Sequence, residues 1–215
     1  MSKIIPKILH QVWLGQNKIP EPFIRWKNEW QDLHPDWQYK LWTDREICKN
    51  TELVTMTNSA QQFSSKSNIV RLYAIMNYGG VYCDMDFEWN KNIDDFLIFE
   101  AFSCKETPNL YCNAIFGAIK QHEWIVYQYK NLHRYYMLPP PWGPTLMTEA
   151  IQEIGWNVAT IPTNFFYPYL CNSPYIAAKE FPNSYAVHHW SLSWRKTTDF
   201  EFEIEQYNKQ QNGKI

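Results

Sequence analysis

Apolar positions along the chain alternate between a spacing of two and a spacing near 3.6, which predicts strand–helix–strand–helix from the start. Residues 7–15, Lys-Ile-Leu-His-Gln-Val-Trp-Leu-Gly, read as a first strand stopped at Gly15. Pro20 and Pro22 open a helix, because a proline in the first turn removes no helical hydrogen bond. Phe23, Trp26, Trp30 and Leu33 share one face of it, which predicts core tryptophans more readily than ligand contacts. His34-Pro35-Asp36 ends that helix. Residues 38–42 give a second strand, with Thr43-Asp44 capping the next helix.

Residues 51–66 are polar and suit helix or loop. Ser67 is the expected cap of a helix over residues 67–78, whose apolar stripe is Ile69, Leu72, Tyr73 and Met76. Asn68 and Arg71, three apart, share another face. Gly79 offers the left-handed position that ends the helix, and a third strand follows at residues 81–84. Beyond it the expectations are irregular chain at 87–96, strands at 99–104 and 110–119, and a helix at 122–137. A rigid proline-rich connector at 138–144 precedes another helix ending near 154. Residues 157–185, rich in proline, asparagine and tyrosine, carry short strands at most, and residues 185–190 form a last strand. The polar tail beyond 197 is expected to fray. No repeat or linker interrupts the pattern, so residues 1–215 read as a single α/β domain with a largely parallel sheet.

A hydrophobic fraction of 45% and a charged fraction of 20% fit a globular core of ordinary size. The net charge of −2, with no basic stretch, argues against nucleic-acid binding. Five cysteines, odd in number and without a CxxC pair, fit reduced thiols better than a disulfide framework or a zinc site. Pro6, Lys7 and His10 interrupt any apolar run near the start, so neither a secretory signal nor a transmembrane segment is expected, and the expected location is cytoplasmic. Aromatic residues reach 17%, which suits sugar rings and nucleobases but equally a packed core.

The chemistry concentrates at Gly79-Gly80-Val81-Tyr82-Cys83-Asp84-Met85-Asp86. Two aspartates at the mouth of a buried strand call for a shared counter-charge, since a carboxylate is costly to bury alone. Residues i and i+2 of a strand face the same side, so Asp84 and Asp86 could reach one ion. Hard oxygen ligands suit Mg²⁺ or Mn²⁺, which leave positions for water and phosphate oxygens. A bare DxD also occurs as a solvated turn, so the flanking residues must decide.

Three runs decide it: Ile5-Pro6-Lys7-Ile8-Leu9-His10-Gln11-Val12-Trp13-Leu14-Gly15, then Ser67-Asn68-Ile69-Val70-Arg71, then the glycine–DxD run itself. Together with Asn113-Ala114-Ile115, Gly143-Pro144 and His188-His189-Trp190-Ser191-Leu192-Ser193-Trp194, and in this order, they resemble the DXD-containing sugar transferases of glycosyltransferase family 32. That family includes the yeast initiating mannosyltransferase and relatives of the clostridial glucosylating toxins. The resemblance runs from about residue 5 to 195.

What it implies is a GT-A fold, a Rossmann-like mixed sheet flanked by helices, that uses a nucleotide-sugar donor with Mn²⁺ or Mg²⁺ and retains anomeric configuration. Asp86 would ligate the metal directly, and Asp84 would act through a metal-bound water or the donor's hydroxyls. Val12 and Trp13 match the positions that read and stack the base, at a strand end where open α/β sheets bind ligands. Arg71 would orient the donor sugar or its phosphates, its other reading being a salt bridge to Asp84 itself. The family usually has an aspartate where Asn68 stands, which bears on the donor sugar. Tyr82 has a role beside the donor, or is a buried strand tyrosine. His188 is favoured over His189 as a late metal ligand, since adjacent strand residues face opposite sides. Such a ligand must be neutral, so metal affinity is expected to fall below about pH 6.5. Ser193 and Trp194 would close over the diphosphate, and Asn113 with residues 139–145 would line the acceptor side.

The expected activity is therefore transfer of a sugar from a nucleotide-sugar, UDP ahead of GDP, to a glycan or saccharide acceptor. Bacterial surface polysaccharide or viral glycan synthesis is the expected setting, with room for a peripheral membrane contact. Two alternatives stand beside it. A haloacid-dehalogenase-like phosphatase also uses Asp-x-Asp with Mg²⁺, but Glu88 occupies the position where it needs threonine or valine. A non-catalytic sugar-binding module would fit the aromatics and leave the Arg71 and Asp84-x-Asp86 combination unexplained.

Overall fold

The computed structural model describes residues 4–135, 142–171, 173–191 and 199–212. The first two strands, β1 (Ile8–Val12) and β2 (Gln38–Trp42), pair in parallel across helix α1 (Glu21–Leu33). The helix expected after β2 is the short α2 (Asp44–Ile47). The first half of the ambiguous stretch 51–66 is helical as α3 (Thr51–Asn58), with the Asn50 side chain capping α3 at Leu53 N. Helix α4 (Phe63–Tyr78) leads into β3 (Gly80–Cys83), which lies parallel to β1 on its other side.

Beyond β3 the chain reverses. Strands β4 (Phe87–Trp89), β5 (Ala101–Thr107) and β6 (Leu110–Ala118) precede α5 (Glu123–Asn131) and α6 (Trp142–Ile154). Then come β7 (Ala159–Ile161), β8 (Ala186–His188) and α7 (Asp199–Asn212). The main sheet runs β2-β1-β3-β6-β5-β7, and β4 pairs only with β8 in a small second sheet. Because β6 is antiparallel to both β3 and β5, the sheet is mixed, not largely parallel.

Helix α4 shows why local pattern and tertiary packing must be read together. It begins four residues before Ser67, so Ser67 is an interior residue and not the cap. Residues Asn68 to Ile75 are almost all buried, since strands cover one side and α3, α5 and α6 the others. A helix surrounded on all sides has no need of a polar stripe. Its exit requires glycine: Gly79 and Gly80 have φ +68° and +102°, and a Cβ on Gly80 would stand 2.5 Å from Ile8 O.

The two faces of the sheet hold two cores. Tyr82, Phe116, Trp124 and Leu146 pack with α4, α5 and α6 on one face. Leu9, Trp30, Val81, Phe87 and Phe102 pack with α1 and the small sheet on the other. Helices α1 and α4 therefore cover opposite faces, and the crevice between the carboxyl ends of β1 and β3 is a topological switch point. A third cluster joins Phe23 and Trp26 of α1 to Met85, Tyr175 and Ile204.

Three further expectations are corrected. The segment 87–96 contains strand β4, because its Phe87 and Trp89 bury against β8. The tail contains helix α7, where Ile204 is buried and Tyr207 meets Tyr175 edge to face. Residues Trp142, Gly143 and Pro144 form the first turn of α6 instead of extended connector, and 136–141 lie outside the described residues.

Candidate active site

Strand β3 ends at Cys83, so Asp84 and Asp86 stand in the turn between β3 and β4 and not within a strand. They converge all the same. One ligand atom each from Asp84, Asp86 and His188 lies within 4.8 Å of the others. His188, the last residue of β8, faces this turn because β8 pairs with β4, placing it opposite Phe87.

Each carboxylate has its own support. Asp84 receives Arg71 Nη2 at 3.1 Å and the Tyr82 hydroxyl, both on Oδ1. Arg71 is buried and held along its length: Nε donates to Ser67 O, Nη2 to Ser67 Oγ at 2.9 Å, and Nη1 to Asn113 O at 2.6 Å. Its guanidinium lies 4.3 Å from the Tyr82 ring centroid. Arg71 thus makes the salt bridge to Asp84 and also lines a small cavity. Burial pushes the Asp84 carboxyl above its usual range, Arg71 opposes this, and Asp86 adds to it.

Asp86 lies within 3.2 Å of His188 Nε2 through Oδ1, while Oδ2 accepts from Ser191 N and Ser191 Oγ, each at 2.8 Å. Burial alone would raise its carboxyl, but His188 and Ser191 outweigh burial and hold it well below the usual carboxylate range. Burial would lower the His188 imidazole, yet the adjoining Asp86 and Asp84 raise it above its ordinary value. Proton competition for His188 thus begins above the pH 6.5 expected from the sequence. His189 points elsewhere: it stacks on Trp26 at 4.6 Å and bonds Tyr169 and Glu88.

The other expected residues fall around this centre. Asn68 and Asn113 are joined by Asn113 Nδ2 donating to Asn68 Oδ1 at 2.8 Å. Continuing the β1–β3 register by two residues sets Val12 level with Asp84. Trp13, half-buried, donates Nε1 to Asn17 O and meets Phe23 edge-on at 6.0 Å. Ser193 and Trp194 lie outside the described residues. Three residues with no role assigned from sequence also belong here. Gln11 donates to Asp84 O at 3.2 Å, Ser67 anchors Arg71, and Ser191 holds Asp86. Ser191 lay inside a recognised run, but only the turn at Trp190 aims it; Trp190 has φ +54°, rare for a bulky residue.

The donor set fits a divalent ion. It combines two carboxylates and an imidazole, and His188 Nδ1 has no hydrogen-bond partner among the described residues. Oxygen ligands with one imidazole suit Mn²⁺ well.

A mixed α/β sheet with paired carboxylates at its switch point is the GT-A glycosyltransferase architecture, and solved structures share it. PaToxG glycosyltransferase aligns with a TM-score of 0.62 over 71% of this chain and 70% of its own, at 18% identity. A glycosyltransferase involved in glycosylating the major capsid of PBCV-1 aligns with a TM-score of 0.57 over 93% of this chain and 98% of its own, at 12% identity.

Residues 20–103 match the family described as glycosyltransferase sugar-binding region containing DXD motif. Among curated relatives, inositol phosphoceramide mannosyltransferase 3 of Schizosaccharomyces pombe is 33% identical over 139 residues, 62% of this chain and 39% of that protein. Mannosyl phosphorylinositol ceramide synthase SUR1 of Saccharomyces cerevisiae is 31% identical over 62% of this chain and 36% of its own length. The chain thus spans under two fifths of these yeast relatives. An uncharacterized glycosyltransferase of Acanthamoeba polyphaga mimivirus is 24% identical over 86% of this chain and 85% of its own. Fold and family leave the phosphatase alternative without support. No described helix is long and apolar enough to cross a membrane.

Proposed function

We propose that this protein is a divalent-metal-dependent, retaining glycosyltransferase that moves a glycosyl group from a nucleotide-sugar, UDP ahead of GDP, to a glycan or saccharide acceptor. The observation that carries this reading is the convergence of Asp84, Asp86 and His188 within 4.8 Å at the sheet's switch point. Those three residues would hold Mn²⁺ or Mg²⁺. When bound, such an ion supplies charge neutralisation for a departing diphosphate.

The chain's own residues prepare the rest. Arg71, locked by Ser67 and Asn113, fixes Asp84 and adds a positive charge near the donor. Neither carboxylate suits the part of nucleophile: Asp84 is engaged by Arg71 and Tyr82, and Asp86 by His188 and Ser191. That favours attack of the acceptor oxygen on the leaving-group side. The acceptor O–H adds to the anomeric carbon, the bond from that carbon to the diphosphate oxygen breaks, and the diphosphate takes the proton. Trp13, at the end of β1, would stack the base.

The test is calorimetry with UDP- and GDP-sugars, with and without Mn²⁺, on wild type and Asp86→Ala. Binding of one nucleotide class only with Mn²⁺, lost in Asp86→Ala, supports the reading. Absence of nucleotide binding under every metal condition overturns it. The yeast relatives are named for mannosyl transfer to inositol phosphoceramide, which makes a lipid-linked inositol the first acceptor to try beside saccharides.

A further inference from the structure

Gln11 is an unexpected residue for its place in β1. Leu9, two residues back on the same face, is fully buried in the cluster of Trp30, Val81 and Phe87. Gln11 is only 2% exposed, and a buried amide is costly unless its polar ends are bonded. Both ends are. Tyr39 of β2 donates its hydroxyl to Gln11 Oε1 at 2.9 Å, and Gln11 Nε2 donates to Asp84 O at 3.2 Å. We propose that Gln11, oriented by Tyr39, is a positioning residue for the metal centre, fixing the main chain of the turn that carries Asp84 and Asp86. The inference rests on the reading of Asp84, Asp86 and His188 as metal ligands.

The place of this bond in the sheet explains its effect. Strands β1 and β3 pair at Leu9 with Val81 and at His10 with Tyr82, and β3 ends at Cys83. The chain leaves the sheet at Asp84, where Gln11, the next residue of β1, continues the connection with its side chain. Asp84 N donates to Ala114 O at 2.8 Å, and Asp86 O accepts His189 N at 2.9 Å. Those two are main-chain bonds that almost any sequence would keep. Asp84 O, by contrast, is held by side chains: the Gln11 amide and, as a weaker donor, Cys83 Sγ at 3.3 Å.

Tyr39 decides how the amide points. Asp84 O can only accept, so the Gln11 nitrogen must face it and Oε1 must face away. The Tyr39 hydroxyl meets Oε1 in that orientation. Burial pushes its phenol well above the usual range, so it remains a donor. Without that hydroxyl the amide can turn over and set Oε1 against Asp84 O, two acceptors face to face. Partners that bond a metal ligand's own side chain are worth roughly tenfold to a hundredfold in affinity. Gln11 bonds the main chain of a ligand, so a smaller effect is expected.

The experiment measures Mn²⁺ binding to the full chain, alone and with UDP or GDP, by loss of the free-ion electron paramagnetic resonance signal. It separates the number of sites, which follows the folded fraction, from the Kd of the folded molecules. Gln11→Met keeps the size and removes the amide, and should raise Kd about fivefold at an unchanged number of sites. Tyr39→Phe should raise it about threefold. The double variant should bind no more weakly than Gln11→Met, because Tyr39 acts only through Gln11. An unchanged Kd in either single variant, a loss in the number of sites alone, or losses that multiply in the double variant overturns the inference while the metal reading stands. A wild type that binds no Mn²⁺ under any of these conditions overturns both. Tyr39→Phe removes a single hydroxyl and decides the matter if Gln11→Met does not fold.

Discussion

The turn after β3 and the hairpin of β4 with β8 carry two carboxylate–histidine pairs side by side, and they have opposite characters. Asp86 meets His188 at 3.2 Å, and Glu88 meets His189 at 2.9 Å. All four residues are well enclosed. Around Glu88 and His189 every role is filled. Tyr169 bonds His189 Nδ1, Trp26 stacks on the ring, and Ala178 N and Tyr175 Oη both donate to Glu88. Around Asp86 and His188 the set is incomplete: Asp84 brings a second negative charge, and His188 Nδ1 has no partner among the described residues. One pair is finished as structure, and the other is arranged for something it does not itself contain. Burial, distance and residue type do not separate them; hydrogen-bond completeness does.

Substitution at matched positions breaks the comparison most sharply. Asp86→Ala should lower transfer activity by at least about a thousandfold and abolish Mn²⁺-dependent nucleotide binding, as expected for loss of an ion that neutralises the leaving group. Glu88→Gln should leave the Mn²⁺ affinity within about threefold, because Glu88 bonds Ala178, Tyr175 and His189 and no metal ligand. Equal losses of metal binding in the two variants would erase the distinction.

The next effect is on stability. His189→Ala removes a stacked ring and leaves Glu88 and Tyr169 without their shared partner. Breaking a buried pair in this way costs about 3 kcal/mol, read as a fall in the urea midpoint at unchanged slope. His188→Ala also breaks a buried pair, beside the second carboxylate of Asp84, so its loss of stability should be at least as large. It should in addition weaken Mn²⁺ affinity by at least about tenfold, which His189→Ala should not.

This division was only half legible in the sequence. The order of elements, the core face of α1 and the glycine exit from α4 follow from spacing and backbone sterics, which are local. The carboxylates and His188 were legible because DxD and the late histidine sit in an ordered series of motifs. What could not be read was long-range: β4 exists only because β8 lies against it, and its three residues carry no strand pattern alone. The tail's Ile204 and Tyr207 are three apart, a helical spacing, but they become core only where Tyr175 and Met85 meet them. Ser67 resembled a cap and proved to be the anchor of Arg71, since α4 starts earlier.

A third enclosed histidine sharpens the point through pH. His10 donates Nε2–H to Gly79 O at 3.0 Å and accepts Trp42 Nε1 on Nδ1 at 3.1 Å, an arrangement only the neutral ring can make. Burial holds its pKa down at about 4, against 6.5 ordinarily. The unfolded chain therefore takes up the proton first, and stability that is full above pH 6.5 is lost as pH falls from 6.5 toward 4. The whole loss from this group is up to about 3 kcal/mol. Urea titrations at several pH values on wild type and His10→Gln check it, and the variant should lose less stability on acidification. An unchanged slope would mean that His10 is not the group that titrates.

The smallest effect tests how Asp86 is held. Trp190 takes a left-handed conformation, and the turn it makes brings both the N–H and the hydroxyl of Ser191 to Asp86 Oδ2. Ser191→Ala removes the hydroxyl and keeps the N–H, so the carboxylate loses one of two supports and remains beside His188. A single hydrogen bond of this kind contributes about 1 kcal/mol, which predicts Mn²⁺ binding weakened about fivefold with the same Asp86 dependence. A loss as large as that of Asp86→Ala would mean that Ser191 meets the ion or the donor directly. The open pair would then have four members, and the contrast with the closed pair at Glu88 and His189 would widen accordingly.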